Sequence, residues 1–142
     1  MKFSELTEAS WPDLQPYMDT CLLPVTGLAG FEAPWEMAER AADTGDWLLP
    51  LEKAFKGRTV TLPALHYDAA SDKLKELCGR CRTAGFRYVI LVCGKPGFVG
   101  DDAGADLVVQ PSREGEEPDP DALFKAVSEL WKRPAASAGD AP

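Results

Sequence analysis

The sequence is short of histidine, of positive charge and of long apolar runs, and each shortage removes a class of function. His66 is the only histidine among 142 residues, which excludes any site built from two or three imidazoles, the usual catalytic zinc sets included. Fifteen Lys plus Arg stand against 23 Asp plus Glu, a formal net charge of −8. Such a chain repels nucleic acid and anionic lipid, whose binding depends on Lys and Arg, so no nucleic-acid partner is expected. The longest uninterrupted apolar run, Val89 to Cys93, is far below the roughly 20 residues that cross a bilayer, and no transmembrane segment is expected. Lys2 has no apolar stretch behind it, so the reading predicts no signal peptide and a cytoplasmic protein. The four cysteines, at 21, 78, 81 and 93, are then expected as reduced thiols. There is no internal repeat.

What is present is enough for a core. Hydrophobic residues make up 45% of the chain, with four Trp, six Phe and three Tyr, which excludes global disorder. The length fits one domain, expected over residues 1–133, with 134–142 a disordered tail that has nothing to bury. After a partly helical lead-in over 1–19, Cys21 to Val25 reads as a buried strand with Pro24 at or near its end. Pro34 opens a helix broken at Asp43-Thr44-Gly45. A second helix is expected from Asp46, with apolar positions 47, 48, 51 and 55, and Pro50 confined to its first turn.

Arg58 to Leu65 is the next strand, and Ser71 starts a helix with Leu74, Leu77, Cys78, Cys81 and Ala84 on one face. Phe86 to Cys93 is the most hydrophobic strand, and Ala105 to Gln110 a fourth. Arg113 to Asp121 is an acidic linker, and a last helix carries apolar positions 123, 124, 127, 130 and 131. Short apolar strands alternating with amphipathic helices predict an α/β fold: a three-layer domain whose short, mostly parallel four-stranded sheet has helices on both faces, Rossmann-like or creatininase-like. Any ligand crevice then lies at the carboxyl ends of the strands. The candidate binding residues there are Thr26, His66, Tyr67, Asp68, Cys93, Gly94 and Asp101.

Each candidate chemistry has a plainer reading beside it. Cys78-Gly79-Arg80-Cys81 has redox spacing, but it sits in mid-helix with both sulfurs on the apolar stripe, away from a helix N-terminus that would lower a thiol pKa. Buried small hydrophobes are the favoured reading, and no metal site is assigned. A His66–Cys93 dyad is conceivable because both residues end strands at one edge, yet no orienting third group can be named. The loop Gly94 to Gly104 has the glycines of a phosphate cradle but leads into a strand, loses a donor at Pro96 and carries Asp101 and Asp102. Those two acids with Asp68 form a candidate magnesium set; solvated surface acids are the plainer alternative. Trp11 and Trp35 are candidates for an exposed aromatic patch. No cofactor and no catalytic residue are assigned.

Four blocks, Tyr17 to Pro24, Leu51 to Arg58, Leu62-Pro63 with Tyr67, and Ala84 to Val89, resemble in order those of a small uncharacterised family of Bacillus-like Gram-positive bacteria, the DUF2487 or YpiF-like domain of unknown function. That resemblance spans about residues 10–131 and transfers no catalytic residue. It implies a respiratory or assembly context, since relatives' genes lie beside those of a menaquinol–cytochrome c reductase, and hence a respiratory-complex subunit as partner. Leu23 to Gly27 and Gly85 to Gly94 are similar to two strand ends of the creatininase-like amidohydrolases. The metal-binding Glu and His of that fold are replaced here by Leu28-Ala29-Gly30-Phe31 and Lys95-Pro96-Gly97. The first expectation is a non-enzymatic accessory or partner-binding domain. The alternative is a small-molecule hydrolase, amidohydrolase-like, using the strand-end crevice.

Overall fold

The computed structural model describes residues 1–134. The expected disordered tail therefore lies outside the described residues except for Pro134. Four strands, β1 (Thr20–Val25), β2 (Thr59–Thr61), β3 (Tyr88–Cys93) and β4 (Leu107–Val109), form one sheet. Its order is β2-β1-β3-β4, and every pairing is parallel. Four helices accompany it: α1 (Trp11–Leu14), α2 (Pro34–Ala54), α3 (Ser71–Thr83) and α4 (Pro120–Trp131). The protein is an α/β fold with a fully parallel four-stranded sheet and helices on both faces.

β1 and β3 lie at the centre, and all six residues of each are buried. Side chains alternate between two cores. On one face Cys21, Leu23, Val25, Val89, Leu91 and Cys93 pack on Leu74 and Cys78 of α3 and on Val99 and Ala103 of the β3–β4 connection. On the other, Leu22, Tyr88, Ile90 and Val92 pack on Trp47, Leu48 and Leu51 of α2 and on Leu123, Val127 and Leu130 of α4. The chain steps from β1 to β2 in one direction through α2, then back across β1 to β3 through α3 on the opposite face. That alternation is what right-handed crossovers require.

α2 corrects the expectation of two helices. It runs unbroken for 21 residues through Asp43-Thr44-Gly45, and Pro50 lies in its interior. Gly45 and Pro50 together cost about 4 kcal/mol of helix propensity. Burying Trp47, Leu48 and Leu51 returns roughly 5–9 kcal/mol against leaving them exposed, so tertiary packing overrides the local breaker signal. Asp46 is accordingly a mid-helix residue, not an N-cap. The helix start is as the sequence suggests, with Pro34 in its first turn and Glu36 accepting from the Ala33 N–H at 3.0 Å.

Pro24 sits inside a central strand, where a missing N–H would ordinarily break a ladder. It points toward β2 at the place where that strand has already stopped. The Leu62 N–H donates to Leu22 O (2.9 Å) and the Leu65 N–H to Pro24 O (2.8 Å), and the intervening Pro63-Ala64 bulges away. β2 is thus three paired residues plus one isolated bridge at Leu65, shorter than the expected 58–65.

Candidate functional site

The carboxyl ends of β1 and β3 form the point where the chain's crossovers change direction, the usual ligand crevice of such a sheet. Here it is filled. Gly27 has φ +75°, and a Cβ on it would stand 3.1 Å from Lys95 Cδ and 3.4 Å from the Phe98 ring. Lys95 lies across the gap and donates from Nζ to Gly27 O at 3.4 Å. Beneath it, Gly94 is pressed so closely on α2 that a Cβ would meet the Asp43 and Thr44 backbone at 2.5 Å. Thr44 bridges both central strands: its Oγ1 accepts from the Gly94 N–H (3.0 Å) and donates to Val25 O (3.4 Å).

The open space lies one strand over. A cleft of about 290 Å3 runs between α2 and the 61–66 segment, walled by Pro24, Leu48, Leu62 and Ala41, with Thr26, Thr44 and His66 at its polar end. It exists because Ala41 and Gly45 are small and leave space between α2 and the chain that follows β2; Lys2 and Phe3 also line it. β2 presents Thr59 and Thr61 on that side, each bonded back to α2: Thr59 Oγ1 to Phe55 O, and Thr61 Oγ1 to the Glu52 carboxylate at 2.7 Å. Thr26 Oγ1 is 3.1 Å from His66 Nδ1 and also reaches His66 O at 3.4 Å, so one hydroxyl fixes the imidazole's orientation.

Of the seven candidate binding residues, the structure brings Thr26 and His66 together and separates the others. Tyr67 is 45% exposed, with its ring centroid 6.5 Å from that of His66. Asp68 turns the chain at φ +58° and faces solvent. Cys93 is fully buried in the opposite core, alongside its register partner Val25. The His66–Cys93 dyad therefore does not form: the imidazole lies on the α2 face of the sheet and the thiol on the α3 face. Burial pushes the Cys93 thiol up, opposed by the Lys95 N–H that donates to its sulfur. Gly94 is a packing residue under α2, and Asp101 is exposed in a 3-10 turn over Asp101–Ala103.

The glycine-rich loop is pinned as structure. Gln110 clasps Val99 through two 2.9 Å hydrogen bonds, accepting from the Val99 N–H and donating to Val99 O. The loop after β1 is closed by its own carboxylate: Glu32 accepts from the Ala29 and Gly30 N–H groups at 2.8 and 2.9 Å, and these hold its carboxyl below the ordinary range. Among the described residues, no group of three or more His, Cys, Asp or Glu side chains is placed to hold a metal ion. Asp68, Asp101 and Asp102 do not assemble into a magnesium set.

The cysteines of α3 join the core as expected of small hydrophobes. Cys78 is fully buried, and burial pushes its thiol up to about 11. The buried Cys21 and the partly buried Cys81 lie close enough for their thiols to interact, which raises Cys21 and lowers Cys81. The two candidate aromatic-patch residues part company. Trp11 packs on Phe86, centroids 5.6 Å apart, and so belongs to the core, whereas Trp35 is 68% exposed. Sequence reasoning missed Thr44, taken for part of a helix break. Its spacing with Trp47, Leu48 and Leu51, one apolar stripe, was the available signal.

A comparison of the chain with protein-family models, with curated proteins and with solved structures returns no match. No helix among the described residues is long and apolar enough to cross a membrane.

Proposed function

We propose that this chain is a non-enzymatic accessory domain that binds a protein partner through the loops at the carboxyl ends of β1 and β2. The observation that carries this reading is the placement of the reactive groups. The single imidazole and the strand-end thiol lie on opposite faces of the sheet, while the loops that follow β1 and β2 expose Phe31 (94%) and Tyr67 (45%). Large exposed aromatics on loops are a recognition surface in search of an apolar counterpart. In this reading the chain works in the cytoplasm. The resemblance to the YpiF-like family makes a subunit of a menaquinol–cytochrome c reductase the first partner to test.

The experiment is an affinity capture of tagged chain at native expression, with soluble and detergent-solubilised membrane fractions analysed separately. A stoichiometric partner held by the native chain and lost by the Phe31→Ala/Tyr67→Ala variant supports the proposal. A partner held equally by both, or none in either fraction, refutes it.

A second reading, a small-molecule hydrolase, rests on the Thr26–His66 pair at the mouth of an apolar cleft. Thr26 is only 2% exposed, so His66 would be the group to meet substrate. An activity unchanged in His66→Ala removes this reading.

A further inference from the structure

The outward face of α2 carries a continuous exposed stripe of apolar and small residues. Trp35, Ala38, Ala42, Gly45 and Leu49 are all exposed and follow one another at intervals of three and four residues, a single stripe along the helix. Trp35 is 68% exposed and Leu49 48%, a large apolar residue at each end with only small ones between. Beside Leu49 opens a groove of about 480 Å3 walled by Pro50, Ala54, Pro120 and Phe124, with the stem of Lys53. One helix therefore carries a projecting indole seven residues before Ala42 and an apolar hollow that opens at Leu49, seven residues after it, and extends to Ala54; Trp35 and Leu49 are about 21 Å apart along the axis. In an antiparallel pair related by a twofold axis at Ala42, residue 42 − k of one copy faces residue 42 + k of the other. Trp35 of each copy then enters the groove beside Leu49 of the other, and Ala38, Ala42 and Gly45 let the backbones approach.

We propose that the chain self-associates as an antiparallel α2–α2 dimer with this twofold at Ala42. A self-complementary patch is the defining property of such an interface. A foreign partner would have to supply both an indole-sized knob and a matching hollow at the same spacing. The area is modest. Trp35 offers about 150 Å2, and contact along the stripe buries on the order of 1,000 Å2 over both copies, at the low end of specific interfaces. The register also fixes the charges. Glu39 of one copy comes beside Asp46 of the other, a repulsive pair repeated twice by symmetry, and both residues are exposed.

Sedimentation equilibrium from micromolar to submillimolar protein tests the dimer. The native chain should show a monomer–dimer equilibrium. Ala42→Glu, which sets two carboxylates against each other at the axis, should weaken it at least about tenfold, and Trp35→Ala should do likewise. Asp46→Lys turns both repulsions into attractive pairs and should tighten the dimer several-fold. Glu76→Lys, the same charge change on α3 across the sheet, should leave the constant close to native. All four sites are exposed, and circular dichroism confirms folding. A native chain and Asp46→Lys variant that both remain monomeric overturn the proposal. So does a dimer that survives Ala42→Glu and Trp35→Ala, which would place another surface at the interface, or equal tightening by Glu76→Lys, which would reduce the effect to net charge. The loops carrying Phe31 and Tyr67 are untouched by these substitutions, so the capture experiment stands or falls separately.

Discussion

Thr44 joins α2 to the carboxyl ends of both central strands, and replacing it by valine isolates that role. Valine matches threonine in volume and in χ1 preference but removes the hydroxyl. Thr44 is 3% exposed and Gly94 is buried, so the Gly94 N–H that now meets Oγ1 at 3.0 Å loses its partner. Leaving a buried donor unmet costs about 1–3 kcal/mol. The longer 3.4 Å bond to Val25 O adds less. Burial of the extra methyl returns about 1 kcal/mol, for a net loss of roughly 2 kcal/mol. With an unfolding entropy of roughly 2.1 cal/mol/K per residue over the 134 described residues, that loss lowers Tm by about 7 °C. Thermal and urea unfolding followed by circular dichroism supply the number, and hydrogen exchange at the Gly94 amide supplies the location. Thr44→Ser keeps the hydroxyl and gives up only a methyl, so it should cost less than valine. If serine proves the more damaging change, Thr44 acts by packing and the bridging argument is wrong.

Gly94→Ala places a Cβ against the α2 backbone, which cannot yield as a side-chain tip would. It should destabilise by more than about 2 kcal/mol, and a change under half that, read by urea unfolding, would show that α2 shifts freely. Among the four thiols Cys81 should react first with iodoacetamide, because it alone is not buried and the neighbouring Cys21 lowers its thiol. Cys21→Ala should slow that reaction and move its pH midpoint upward, as followed by mass spectrometry of labelled peptides. Cys78→Ser should cost roughly 1–3 kcal/mol by burying a hydroxyl in the core. Stoichiometric zinc that vanishes in this variant would overturn the assignment of Cys78 to packing. Glu32 is held below its ordinary pKa by the Ala29 and Gly30 N–H groups, so its contribution to stability is present above the ordinary carboxylate pKa and is lost as pH falls through its folded value. Glu32→Gln should flatten the acid limb of the stability–pH curve, and an unchanged slope would mean the loop contact is lost without effect on folding.

The sheet was legible because its two central strands are continuous apolar runs, the mark of strands buried on both faces. Cys21 to Val25 and Phe86 to Cys93 could hardly be anything else, and the helical stripes at 74, 77, 78 and 81 and at 123, 127 and 130 told which faces meet them. α2 was misread for a physical reason. Asp43-Thr44-Gly45 and Pro50 are local breakers, and the energy that overrides them comes from Trp47, Leu48 and Leu51 meeting strands distant in sequence. Pro24 in a central strand could not be placed in advance either. Its acceptability depends on β2 stopping at Thr61, a fact about the neighbouring strand and not about the Pro24 segment.

The site was harder to read than the fold, because a strand-end rule gives the edge of the sheet and says nothing about which side chains fill it. Lys95, Phe98 and Thr44 occupy the crevice between β1 and β3, and the open cleft lies between α2 and the chain that follows β2. The parity of the strands decides the rest. Val25 and Cys93 share a register and point into the α3 core, so Thr26, one residue on, turns toward α2 and meets His66 there. A single residue of offset thus separates the imidazole from the thiol by the thickness of the sheet. For Cys93 to approach His66, β3 would have to slip by one residue, which would turn Val89 and Leu91 out of one core and Ile90 and Val92 out of the other. The buried runs that made the fold readable are therefore the same ones that hold these two reactive groups apart.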